Sequence, residues 1–155
     1  MANLLRLISG GEQLMLDACD GKRTIAGATD IFSYIDPDLK NWGTDVEDEA
    51  TPATAVAVHE MVKDGNLAEI FTSLSGDVRK LALTQDQILN FVKKHRNWLR
   101  QDGWATLFLF RAGGKLFVAY VFVDSGGGLL VYVLRFEFGL VWRAGPQRRL
   151  VVPQL

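Results

Sequence analysis

The stretch WATLFLFRAGGKLFVAYVFVDSGGGLLVYVLRFEFGLVW, from Trp104 to Trp142, decides the fold. β-Branched and aromatic residues run through it, and the turn formers Ala112-Gly-Gly114 and Asp124-Ser-Gly-Gly-Gly128 cut it. This pattern predicts a β-meander, with strands near 105–111, 115–123, 129–137 and 139–144 joined by tight antiparallel turns, and a last short strand at Leu150-Val-Val152. Ten of the sixteen aromatic residues fall in this stretch, so most of them must be core. In the third strand Leu130, Tyr132, Leu134, Phe136 and Phe138 share one face, and Leu129, Val131, Val133, Arg135 and Glu137 share the other. The first face is wholly apolar and the second ends in charge, so a covering helix is expected on the first.

Such a helix lies immediately upstream. Thr84-Gln-Asp-Gln87 is a capping-box pattern, in which the threonine hydroxyl accepts from the amide three residues on and the glutamine reaches back. Ile88, Phe91, Val92, His95 and Leu99 then recur every three or four residues, while Lys93, Lys94, Arg96, Asn97 and Arg100 take the remaining faces. Gly103 is placed to stop the helix. The expected fold is α+β: a curved antiparallel meander over about 104–152, packed against an amphipathic helix over about 84–101, with a smaller N-terminal α/β portion. In that portion Gln13 to Cys19 is strand-like before the Asp20-Gly21 turn, Phe32 to Asp36 is a second candidate strand, and Asn41 to Pro52 is a polar surface loop. Thr54 to Met61 is a third strand, and after Asp64-Gly65 the residues Leu67, Ile70, Phe71 and Leu74 take helical spacing.

With 155 residues, 48% hydrophobic and 23% charged, residues 1–155 are expected to form a single domain, and disordered, collagen-like and coiled-coil classes are excluded. Cys19 is the only cysteine, so no intramolecular disulfide can form, and a reducing cytoplasm is the expected compartment. The N-terminal MANLLRLISGGEQ has no cationic leader, and no apolar run is long enough to span a bilayer. No membrane association is expected.

The formal net charge of -1 conceals a polarised chain. Residues 1–77 carry five Lys/Arg against fourteen Asp/Glu, and residues 78–155 carry twelve against four. The two halves either attract each other within the fold or leave an anion-binding surface on the basic side. The second possibility singles out Lys93, Lys94, Arg96 and Arg100, joined by Arg148 and Arg149 of the last strand, as candidate phosphate contacts for nucleic acid. Trp98, Trp104 or Trp142 would be available to stack bases if exposed.

Enzyme signatures are missing. His59-Glu60 opens like a zinc-protease motif, but Lys63 stands where the second histidine is needed. The Gly126-Gly-Gly128 and Gly113-Gly114 runs lack the phosphate-loop lysine and lie between strands. Asp36, Asp38 and His59 are the remaining candidates for a metal or small-ligand site in the acidic half, although Asp36-Pro-Asp38 also has the composition of a plain turn.

Three segments, Tyr34 to Gly43, Leu83 to Gly103 and Arg149 to Leu155, resemble those of small bacterial proteins of similar length to which no activity is attached. The resemblance implies a free-standing bacterial protein and supplies no catalytic residue, ligand or cofactor. The expectation is therefore a non-enzymatic binding protein without a cofactor. A protein partner or self-association ranks ahead of nucleic acid, because an aromatic meander can leave an apolar patch that needs covering. A metal or small ligand in the acidic half is a further alternative.

Overall fold

The computed structural model describes residues 4–101, 103–145 and 148–154. In chain order the strands are β1 (Leu5–Leu7), β2 (Leu14–Leu16), β3 (Tyr34–Ile35), β4 (Thr54–Met61), β5 (Thr106–Ala112), β6 (Lys115–Val123), β7 (Leu129–Arg135) and β8 (Arg149–Pro153). The helices are α1 (Asp38–Asn41), α2 (Leu67–Thr72) and α3 (Gln85–Lys94), with 3-10 turns at Val78–Leu81 and Arg96–Trp98. All eight strands join one open sheet in the order β1-β4-β8-β5-β6-β7-β3, with β2 also paired to β4. The class is α+β, dominated by strands.

The meander itself is β5-β6-β7, two antiparallel hairpins turning at the positive-φ residues Gly113, Gly114 and Gly127. Four features depart from the sequence reading. The sheet is mixed rather than antiparallel, because β3 runs parallel to β7 and β8 runs parallel to β5. No strand forms over 139–144, where only Trp142 bridges to Gly65. β8 does not extend the meander but inserts between β4 and β5, which ties the N-terminal strands into the same sheet. Its Leu150, Val151 and Val152 are buried on both faces, as the continuous apolar run of a central strand requires.

The fourth departure concerns the helix. α3 stops at Lys94 instead of continuing to 101, because His95 leaves helical geometry and its ring donates from Nε2 to the Met15 carbonyl at 2.8 Å. The chain then tightens into the 3-10 turn and delivers Leu99 to the core. α3 also packs on the other face of the meander from the one expected. Phe91, Ile88 and Val92 join Phe108, Phe110, Phe117, Val121, Leu129, Val131 and Val133 in one core, so the 129/131/133 face is the sealed one. A second core lies on the opposite face, where Leu67, Ile70 and Phe71 of α2 and Leu81 meet Leu107, Leu109, Val118, Leu150 and Val152.

The first turn of α3 is polar yet buried. Thr84 and Gln87 form the reciprocal cap. Gln85 accepts from Ile25 N at 3.0 Å and donates to the Thr44 carbonyl at 2.7 Å, and Asp86 accepts from Gly21 N at 3.0 Å. These bonds satisfy backbone groups that two loops would otherwise bury unpaired. They fix the 41–52 segment against the helix, so its Thr44 is fully buried rather than on the surface.

Candidate functional site

The structure distributes the six nominated cations rather than assembling them. Lys94 Nζ pairs with Asp17 Oδ1 at 2.8 Å, and that hydrogen bond, helped by Asn90, holds the Asp17 carboxyl below its ordinary range. Arg96 donates to the Gly127 carbonyl and pins the β6–β7 hairpin. Arg149 donates to the Trp98 carbonyl at 3.0 Å on the α3 side of the sheet. Arg148 turns to the other side, with its guanidinium 4.8 Å from the Trp142 ring centre and 5.5 Å from that of Trp104. Burial lowers the pKa of both arginines. Arg100 gives its amide to Thr106 Oγ1 and lies close enough to Arg149 to oppose its charge, and Lys93 is exposed near Asp30. Arg148 and Arg149 therefore point to opposite faces, and the six do not make one surface.

Asp36, Asp38 and His59 are also kept apart. Asp36 accepts from Asp38 N at 3.0 Å and from Val133 N at 3.2 Å, so its carboxylate caps the open edge of β7 where β3 ends. Asp38 accepts from Asn41 Nδ2. His59 lies on β4, separated from β3 by the strands β8, β5, β6 and β7, a span of about 24 Å at the usual strand spacing. No group of three or more His, Cys, Asp or Glu side chains among the described residues could hold a metal ion.

What the fold does bring together is an aromatic row across three strands. Tyr34 of β3 and Tyr132 of β7 have ring centres 5.2 Å apart, and Tyr132 stacks on Tyr120 of β6 at 5.2 Å with planes 19° apart. Phe122 meets both Tyr120 and Tyr132 edge-on, and Trp142 closes the row against Tyr120 at 5.9 Å. The geometry follows from the pleat, which puts alternate side chains of paired strands side by side on one face. Burial, followed by the nearby Asp36 charge, pushes the Tyr120 hydroxyl up to about 12, so it stays a neutral donor at any physiological pH.

α2 covers the β4–β8 end of this face and its Phe71 meets Phe136, just beyond β7, at 6.1 Å, while Tyr120, Phe122, Leu130 and Tyr132 stay half-buried. In the row Tyr34 is 42% exposed, and Val141, next to Trp142 in the chain, is 54% exposed; Trp104, Phe138 and Leu140 are also open to solvent. Tyr120 and Tyr132 turn ring faces to each other, which leaves less of those faces for a nucleobase, while Tyr34 is tilted by 40° from Tyr132. Sequence periodicity identified Tyr132 as a face residue. It gave no sign that Tyr34, ninety-eight positions away, would join it, because the parallel β3–β7 pairing spans only two residues.

No helix among the described residues is long and apolar enough to cross a membrane. Comparison with known proteins brings no matching family, no similar curated protein and no similar solved structure.

Proposed function

We propose that the chain is a non-enzymatic interaction protein that works in the cytoplasm as a self-associating unit, two copies meeting through the aromatic face of β6, β7 and β3. The observation that carries this reading is the half-open row Tyr34–Tyr132–Tyr120, closed at one end by the buried Trp142, on strands whose opposite face is sealed under α3. Contiguous apolar surface of this kind marks interaction sites. A second copy is the favoured occupant because the patch carries both charges. Asp36 and Asp124 border the tyrosines, and Arg148 packs on Trp104 and Trp142 beside Arg143. A two-fold axis brings each patch onto itself, so opposite charges at its two ends meet.

Sedimentation velocity over a wide concentration range tests this. The expected result is a concentration-dependent species of twice the monomer mass, lost in Val141→Asp, whose exposed site spares the fold. A monomer at the highest concentration overturns the reading. Steeply salt-dependent binding of single-stranded RNA, measured by fluorescence anisotropy, would replace it with the nucleic-acid alternative.

A further inference from the structure

β1 and β2 lie end to end along β4. Leu7 stands opposite His59 and Leu14 opposite Val56, so the six residues 8–13 span only the two residues 57 and 58 of β4. The excess is pushed out as a turn. Ile8 N donates to the Val58 carbonyl and Ser9 Oγ accepts from Val58 N at 2.8 Å, which keeps the β4 edge satisfied behind the turn. Glu12 N closes the turn onto the Ser9 carbonyl at 3.1 Å.

The extruded turn is one wall of a cavity of about 540 Å³. Leu74, Leu81, Ala57, His59 and Val152 also line it. That volume is in the range of small-molecule sites. The His59 imidazole is half-buried and has no hydrogen-bond or charge partner among the described residues, so burial alone acts on it and lowers its pKa. A neutral imidazole offers one donor and one acceptor. Among the lining residues Glu12, exposed to solvent, is the only Asp, Glu, Lys or Arg, so the lining has a negative group and no permanent positive one.

We propose that this cavity binds a small apolar amine, its hydrocarbon part against Leu74, Leu81 and Val152, its ammonium facing Glu12, and a hydrogen bond completed by His59. Anions of the same size are rejected, because no cation lines the walls to replace their hydration. The site lies over β4 and β8, away from the tyrosine row, so it works in a monomer or in a dimer.

The probe is 2-phenylethylamine, compared with 3-phenylpropionate and 2-phenylethanol, and the readout is the ring-proton NMR resonance of His59. The chain has only two histidines, so His59→Gln assigns the signal. The expected result is a saturable shift of the His59 resonance with the amine. Binding becomes about threefold weaker in Glu12→Gln, the scale of an exposed ion pair. It is lost in Ala57→Leu, which fills the cavity, with an unmoved His95 resonance reporting an intact fold. No saturable shift at millimolar amine, or binding of 3-phenylpropionate as tight as that of the amine, overturns the proposal. Sedimentation reads self-association separately.

Discussion

The two faces of the β6–β7 hairpin carry similar side chains in different surroundings. On one face Phe117, Val121, Val131 and Val133 are buried beneath a roof that includes Ile25, Phe32 and α3, and Trp42 stacks on Phe117 with Arg135 over its ring. On the other face Tyr120, Phe122 and Tyr132 pack on one another, and Tyr120 also on Trp142, at the margin of the core under α2, and all three stay half-buried. Aromatic content alone thus does not say which face of a sheet is core. That depends on which segments return to cover it.

The largest expected effect separates the faces directly. Phe108→Ala, beneath Phe91 of α3, should cost about 4 kcal/mol in urea unfolding, as large-to-small changes do in a packed core. Tyr132→Ala should cost about 1 kcal/mol, because its ring is half-hydrated before the change, while abolishing self-association. Equal losses at the two sites would break the contrast.

Next comes the roof. Gln85→Ala leaves Ile25 N and the Thr44 carbonyl without their partner, and should cost about 3 kcal/mol at an unsatisfied-group penalty of ~1–3 kcal/mol each. Loss of protection against hydrogen exchange should appear at Ile25 and spare the tyrosine strands. Thr84→Ala removes only the cap on Gln87 N and should cost about 1 kcal/mol.

The smallest effects are in the pH profile. Burial lowers the His59 pKa, so the unfolded chain binds more protons than the folded one below the ordinary histidine value. Stability should therefore fall as pH drops from about 6.5 toward the lower folded value, and His59→Gln should remove that loss. Asp17 acts further into acid. Its carboxyl is held below the ordinary value by Lys94, so its contribution is present above the unfolded pKa and lost as pH falls through the folded one. In Asp17→Asn the profile should flatten in that window. Because both side chains of the pair are exposed to solvent, the change should be small and should shrink in high salt.

Much of the fold was legible locally. Thr54–Met61 and Lys115–Val123 are strands at the residues their patterns indicated, and the Thr84–Gln87 cap forms both of its bonds. These are near-neighbour effects, set by side-chain alternation and by groups three residues apart. What was not legible depends on distant partners. β1 has three residues and β3 two, too few to show a period, and each exists only because β4 or β7 offers it a ladder. The segment 139–144 has strand-like composition but has no neighbouring ladder beyond the Trp142 bridge. For the sites, clustered cations in sequence suggested a phosphate surface, yet strand alternation sends Arg148 and Arg149 to opposite faces and Asp17 and the Gly127 carbonyl engage Lys94 and Arg96. His59 was visible as a lone histidine, but the cavity beside it arises from the mismatch of β1 and β2 against β4, which no local pattern records.

By itself, then, the sequence determined the α+β class, the first three strands of the meander, the capped start of α3 and the opposite charge of the chain's two halves. These follow from periodicity, turn chemistry and composition, which act over a few bonds. Only the tertiary structure decided where β8 inserts, which face α3 seals, that three tyrosines from three strands meet in a row, and that a turn and His59 line one cavity. Those outcomes depend on pairings between residues tens of positions apart, and the free energy that selects them comes from burying both sheet faces at once, which no segment can do alone.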